Sequence, residues 1–541
     1  MPEHHYRSIL WPRPLEWLGL LFPSLLIWGV LSAAGLSADA WRLALLFLPG
    51  SILAWLAITR RTRIWQVLSH LWAFMFGADA ALRAFIWFTY RSDLDSAFIF
   101  EALVNTTLAE SGEYLSVHWP MLLGTLAGFS LLNLWLLGAS RFIRGSTVIL
   151  APRQIAVLIL LTLVLALTYG LRPNRAQHPL LYWTGYLNKL ETYRDRLSQN
   201  TQLIEDWETG IGDDEIRYDG PPKQVFVLVL AESISRHNLQ LCGYDRPTTP
   251  NLNQLREELT VFCSAYSPAS STIGALRLKL TDASLTRPLA ERDGSLLARA
   301  RAAGFKVFWI SNQDDEYTAS LYGQYADQAV FTNRRSGRSS QSLDAALLSP
   351  YQRALDDPHP RKLLVVHMIG AHPNYALRYP AEFAQFNNLT HDTVSQSLQH
   401  AGRNLLTRRS RNHYDNAILY HDHVVAELIT RLKSSDPDKQ KKTLLYAADH
   451  GNDVGHTSNR VGHSPHTEAG YAVPVIFWQA GQPRISRLEQ HPILTDSLDT
   501  NALLLMGVRW TDADWRQSWF SADYAWEPPP DWPPWKIVRA P

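Results

Sequence analysis

The sequence predicts two unlike parts. Residues 1–171 form a transmembrane domain of five helices, and residues 221–541 form an α/β domain with a largely parallel sheet. Membrane-proximal bridging helices over 172–220 join them. Three observations lead there. Long apolar runs with short polar gaps fill the first 170 residues. The mean hydropathy of −0.14 is too polar for a chain that is membrane throughout. From residue 224 onward, short apolar strand-like runs alternate with helical patterns, as in a layered α/β fold.

A helix needs about 20 mostly apolar residues to cross the hydrocarbon core. The expected spans are 15–36, 41–59, 64–89, 120–137 and 154–171. Asp79 and Arg83 interrupt the third; spaced four apart, they share a helical face and are expected to pair. Arg7 and Arg13, then Arg60, Arg61 and Arg63, then Arg141, Arg144 and Arg153 occupy alternate ends of the spans. The positive-inside rule therefore puts the N-terminus in the cytoplasm and everything after 171 outside. The first span is expected to be a retained anchor rather than a cleaved signal. The gap at 90–119 mixes apolar and acidic residues as a helix on the outer face would, and is either a surface amphipathic helix or a rim for a lipid headgroup.

After Pro221-Pro222, the run from Gln224 to Leu230 opens a buried strand. Further strands are expected at 306–310, 329–332, 363–368, 443–448 and 473–478, with helices at 341–355 and 415–433. The tail carries Trp510, Trp515, Trp519, Trp526, Trp532 and Trp535 among prolines, and is expected to wrap on the domain. A formal net charge of +1 without basic runs argues against nucleic acid as the main partner. Two cysteines exclude a disulfide-rich scaffold or a four-thiolate zinc module.

In parallel sheets, chemistry sits beyond the carboxyl ends of the strands. The first strand ends at Ala231-Glu232-Ser233 and a later one at Asp449-His450-Gly451. Carboxylate oxygen and neutral imidazole both suit zinc. The loop Ser267 to Ser271 leads to Thr272 and an expected helix. A hydroxyl there meets free N–H donors suited to a phosphate, and a metal would lower its pKa, although simple helix capping uses the same residues. His367, His372, His456, His463 and His466 lie in loops after separate strands and are candidates to converge there.

Several ordered motifs carry a resemblance. They are Ala231-Glu232-Ser233, Gly243-Tyr244-Asp245-Arg246-Pro247, Ser271-Thr272-Ile273, Gly370-Ala371-His372-Pro373, Tyr414-Asp415-Asn416, Asp449-His450-Gly451 and Gly462-His463-Ser464. With them the chain resembles the bacterial phosphoethanolamine transferases, membrane-anchored members of the alkaline phosphatase and sulfatase superfamily. The resemblance implies a sulfatase/alkaline-phosphatase-like fold for the α/β domain, held in the periplasm by an inner-membrane anchor. It implies Thr272 as the nucleophile, and Zn2+ bound by Glu232, Asp449, His450 and the Thr272 oxygen. His372 and His463 would face the substrate or a second, weaker metal position. Asn105, Glu110 and Glu113 match a membrane-side pattern tied to lipid handling. The implied partners are a phosphatidylethanolamine donor in the lipid bilayer and a lipopolysaccharide or other glycan acceptor.

Two positions depart from the family pattern. Ala231 stands where a glycine is common, and Asn452 where a glutamate often follows the Asp-His-Gly. The pairing of Cys242 with Cys263 stays open. The alternatives are a phosphoglycerol transferase or phosphodiesterase on the same fold, or an inactive membrane scaffold.

Overall fold

The computed structural model describes residues 9–11, 14–60, 63–105, parts of 111–134, 146–148, 152–209, 216–286, 294–313, 322–333, 342–435, 440–511, 516 and 518–534. The chain divides into two compact units, one of residues 1–100 and 117–194, the other of residues 101–116 and 195–539.

The first unit holds helices α1 (Pro14–Ala34), α2 (Ser37–Arg60) and α3 (Arg63–Tyr90), the start of α4 (Ala97–Asn105), α5 (Pro152–Gly170) and the start of α6 (Pro179–Thr209); Glu101–Asn105 and Asp195–Thr209 belong to the second. Three helices among the described residues are long and apolar enough to cross a membrane, over Trp17–Ala34, Ser37–Ala57 and Arg63–Tyr90. They pack through Leu31, Leu43, Phe47, Ala73 and Phe76, while Leu18, Leu25, Leu71 and Leu163 stay exposed. An outward apolar surface over internally bonded helices suits hydrocarbon as solvent. Half of the fourth expected span, 120–137, lies outside the described residues; the fifth coincides with α5, whose described apolar stretch is Ile159–Gly170.

Asp79 and Arg83 do pair, Nε to Oδ2 at 2.9 Å, and both are buried. Gln177 Oε1 accepts from Arg83 Nη1 at 2.9 Å, and Trp183 Nε1 donates to Asp79 Oδ1 at 3.0 Å. The buried charges are thus held by hydrogen bonds within the unit.

The second unit is built on an eight-stranded sheet. Its strands are β1 (Gln224–Ala231), β2 (Leu259–Tyr266), β3 (Lys306–Ser311), β4 (Gln328–Phe331), β5 (Arg361–His367), β6 (Lys441–Ala448), β7 (Ala472–Gln479) and β8 (Ile493–Leu494). Their order is β8-β2-β7-β6-β1-β5-β3-β4. Every residue of β1 is buried, between parallel β5 and β6, which accounts for its unbroken apolar run. The sheet is largely parallel, as expected, and is mixed only through β7, which runs antiparallel to both β6 and β2. The physical reason is the connection. The chain returns from β6 to β7 through a loop and short turns over 449–471, without a long crossover helix, and adjacent strands joined that way run antiparallel. Strand β2 escaped the sequence reading because polar residues (Thr260, Ser264) interrupt its apolar run.

The helices that position the site are α7 (Thr272–Lys279) and α8 (Leu405–Ser434). Cys242 and Cys263 are joined in a disulfide with Cα atoms 5.5 Å apart. The described part of the tail packs on the unit: Trp519 is fully buried, Phe520 packs on Phe477 at 4.7 Å between ring centroids, and Trp532 packs on Tyr266 at 5.6 Å, while Trp515 and Trp535 lie outside the described residues.

Candidate active site

Strands β1 and β6 are parallel neighbours in register, Ala231 opposite Ala448, so Glu232 and Asp449 leave the sheet side by side. Asp449 N donates to Ala231 O at 2.7 Å, which ties the two ends together. The turn after β1 puts Ser233 in the left-handed region, φ +63°, a conformation that non-glycine residues occupy mainly where surrounding contacts enforce it. The contacts here are explicit. Ser233 N donates to Asp449 Oδ1 at 2.9 Å, Ser233 O accepts from Tyr414 Oη at 2.7 Å, and Ser233 Oγ donates to Glu232 Oε1 at 2.6 Å.

His450 is fully buried, and its Nδ1 donates to Gly451 O at 3.0 Å. That bond leaves Nε2 as the lone-pair face. Nε2 lies 3.4 Å from Glu232 Oε1 and 3.4 Å from Asp449 Oδ2. Thr272, first residue of α7, donates from Oγ1 to Glu232 Oε2 at 2.9 Å and sits 3.4 Å from His450 Nε2. Four residues named from the sequence, Glu232, Thr272, Asp449 and His450, therefore meet.

His463 joins them: its ring is 4.5 Å from the His450 ring, and one of its ring nitrogens lies within 4.8 Å of a Glu232 carboxylate oxygen and a His450 ring nitrogen. The His372 ring is 6.1 Å from that of His463. Burial pushes His372 down to about 3, with the Arg378 charge adding to the shift, so the ring is neutral at pH 7. Of the other histidines, His456 bonds Asn238 and Asp453, and His367 contacts Ser311 and Trp309; both serve the loops rather than the cluster. Asn105 is the last residue of α4, and Glu110 and Glu113 lie outside the described residues. Asn452, the departure noted above, is fully buried.

The cluster has the chemistry of a cation site. Burial, and then the charge on Asp449, raise the Glu232 carboxyl well above the usual range. Asp449 Oδ2 is buried and accepts no hydrogen bond among the described residues. A buried carboxylate oxygen without a donor is costly, and a divalent cation between two carboxylates and an imidazole removes the cost. The residues present fit zinc.

Several supporting residues were not found from the sequence. Asp344 is fully buried, accepts from Ile369 N and Gly370 N at 2.9 Å each, and so holds the loop that carries His372. Gly370 has φ +50°, and a methyl there would meet Glu232 O at 2.3 Å. Glu101 Oε1 accepts from Ser271 Oγ at 3.0 Å and Gly274 N at 2.8 Å, capping the first turn of α7 where Ser271 does not cap it itself. Lys279, at the other end of α7, is pushed down to about 7 by burial. The Gly-Tyr-Asp-Arg-Pro and Tyr-Asp-Asn motifs prove to be one buried network, with Tyr244 Oη and Arg246 Nη1 both donating to Asp415 Oδ2, at 2.8 and 2.6 Å.

A sulfatase family model matches residues 224–502, more than half of the chain. The chain belongs to the sulfatase family. Within it, the chain is 33% identical over 329 residues to phosphoethanolamine transferase EptC of Escherichia coli K12, covering 57% of this chain and 54% of that protein. It is 29% identical over 282 residues to phosphoethanolamine transferase EptA of Helicobacter pylori, covering 51% and 50%. The matched segments span about half the length of these relatives. Among solved structures, the periplasmic domain of E. coli EptC in complex with zinc matches at TM-score 0.54 and 30% identity, over 58% of this chain and 91% of that one. The integral membrane protein lipooligosaccharide phosphoethanolamine transferase A (EptA) of Neisseria meningitidis shares the fold at TM-score 0.58 and 18% identity, over 91% of this chain and 95% of that one. The resemblance drawn from the motifs therefore holds: the relatives of this sulfatase-family chain are phosphoethanolamine transferases.

Proposed function

We propose that this sulfatase-family protein is a membrane-anchored phosphoethanolamine transferase. It takes the headgroup of phosphatidylethanolamine, carries it on Thr272, and passes it to a lipopolysaccharide-type or other periplasmic glycan acceptor. The five-span topology, with the N-terminus cytoplasmic and the second unit in the periplasm, belongs to the same proposal. The observation that carries it is the position of Thr272 Oγ1, at the first turn of α7 and in reach of both Glu232 and His450. The names of the E. coli and H. pylori relatives support the choice of headgroup.

Glu232, Asp449, His450 and the Thr272 oxygen are the residues that would hold zinc, which when bound supplies positive charge to acidify the hydroxyl and offset phosphoryl charge. Thr272 Oγ1 attacks the phosphorus of the donor, its proton leaves, and the phosphorus–oxygen bond to diacylglycerol breaks as that oxygen gains a proton. In the second step an acceptor hydroxyl or phosphate oxygen attacks phospho-Thr272 and restores the hydroxyl. His463, packed on the His450 ring, and His372 beyond it are neutral through burial and offer ring nitrogens for these proton movements. The rigid Ser233 turn keeps Glu232 and Asp449 oriented through both steps. Asn105, Glu110 and Glu113 are assigned to the lipid headgroup.

The test uses zinc-loaded, detergent-purified full-length protein with phosphatidylethanolamine, and Thr272→Ala alongside. Diacylglycerol release and a phosphoethanolamine adduct on the Thr272 peptide, both absent from the variant, are expected. Release from phosphatidylglycerol instead moves the assignment to phosphoglycerol transfer. Release of free phosphoethanolamine without dependence on an acceptor moves it to a phosphodiesterase.

A further inference from the structure

We propose that Lys279 is a positioning residue of the nucleophile: it fastens the helix that carries Thr272 to the strand end that carries Asp449 and His450. The inference rests on the reading of Thr272, Asp449 and His450 as the reaction centre. Lys279 is fully buried and ends α7, seven residues after Thr272. Seven residues are close to two turns of helix, which returns the two side chains to within about 20° of one face. Both therefore point at the carboxyl end of the sheet. At the start of α7, Thr272 reaches Glu232 after β1. At its end, Lys279 Nζ donates to Ala448 O at 2.5 Å and Asp449 O at 2.7 Å, the last residue of β6 and the first beyond it.

Neither hydrogen bond goes to a carboxylate oxygen, although the Asp449 and Asp496 charges act on the side chain. A buried amine costs free energy unless its donors are used, and here they are used on the main chain of a ligand residue. The Asp449 carbonyl also accepts from Ser267 Oγ. Ser267 opens the loop that leads to Thr272. The nucleophile's loop and helix are thus anchored to one carbonyl at both ends, while Asp449 N is held by Ala231 O. Two N–H donors suffice for the two bonds, and both the amine and the ammonium have them. The positioning role therefore does not depend on the charge state of Lys279.

The same sheet contains a control. Lys362 is also buried and also donates to two main-chain carbonyls, Leu355 O and Asp357 O, but at the start of β5, the end of the sheet away from the site. Losing it disturbs packing without touching Asp449.

The experiment compares Lys279→Met and Lys362→Met with wild type in full-length, detergent-purified protein. The readouts are thermal midpoint, zinc affinity by competition with a chromophoric chelator, and kcat and KM for diacylglycerol release from phosphatidylethanolamine. Both variants are expected to lose thermal stability. Only Lys279→Met is expected to lose zinc affinity, by about 10–100-fold as for other groups that orient a metal ligand. It should also lose kcat, with KM for the lipid nearly unchanged. Wild-type zinc affinity and kcat in Lys279→Met, or equal zinc loss in both lysine variants, would overturn the proposal. If Lys279→Met does not fold, Lys279→Arg, which keeps donors but displaces them, is read by the same criteria. If the wild type releases no diacylglycerol, the reading of the reaction has failed, and the zinc contrast still decides the role of Lys279.

Discussion

Gly370 offers a direct test of how closely the loop after β5 must approach Glu232. A methyl group at Gly370 would lie 2.3 Å from Glu232 O, 3.0 Å from its N and 3.2 Å from its C. Restoring ordinary contact requires the two segments to part by about 1 Å. The bond from Ala371 N to Glu232 O, now 3.0 Å, cannot survive that movement. Its loss costs about 1 kcal/mol. The left-handed conformation adds about 1–2 kcal/mol for a residue with a side chain. Gly370→Ala should therefore destabilise the second unit by about 2–4 kcal/mol, counting some weakening of the bonds to Asp344. Because the parting moves the Glu232 peptide itself, zinc affinity should fall by about tenfold or more. Gly243 is the control: it also has positive φ, +91°, but a methyl there meets nothing within 4 Å. Gly243→Ala should cost only the conformational part and leave zinc affinity alone. Thermal unfolding and chelator competition on the two variants decide the matter. Wild-type stability and zinc affinity in Gly370→Ala would refute the close approach.

Two further outcomes follow from buried groups elsewhere. Burial pushes His421, hydrogen-bonded to Tyr446 Oη at 2.9 Å, down to about 3. Its folded-state value lies below the unfolded one, so the stability it contributes is complete above about pH 6.5 and is lost as pH falls toward 3, by up to about 5 kcal/mol. The difference in unfolding free energy between wild type and His421→Gln should shrink across that window, and a pH-independent difference would count against a neutral His421. In the first unit, Arg83→Ala leaves Asp79 buried without its cation and should cost about 3–5 kcal/mol, while adding Asp79→Ala should recover much of the loss. Unfolding in detergent checks this, and strictly additive losses would show that the pair is uncoupled.

Much of the site was legible because its residues follow apolar runs. Strands β1 and β6 end at Glu232 and Asp449-His450, and a strand-then-polar pattern is visible in one dimension. Thr272 was legible as the hydroxyl at the start of a helix, though the residues alone could not separate a nucleophile from a cap. The supporting residues were not legible. Asp344 lies more than 20 residues before the loop it holds, and nothing near it in sequence announces the bonds to Ile369 and Gly370. Lys279 looks like an ordinary basic residue in the last turn of a helix; burial alone reveals its partners. Glu101 belonged to a segment expected to lie at the membrane surface, yet its carboxylate caps the helix that begins at Thr272.

The sequence by itself determined the two-part organisation, the strands at the centre of the sheet and the identity of the candidate ligands, because hydrophobic periodicity and side-chain chemistry are local properties. Only the tertiary structure decided the antiparallel course of β7, the joining of Cys242 to Cys263, the merging of the Tyr244, Arg246 and Asp415 motifs into one network, and the clamp on α7. Each of these depends on which distant segments come within hydrogen-bond reach. That is set by the packing of the whole sheet, not by any one stretch of the chain.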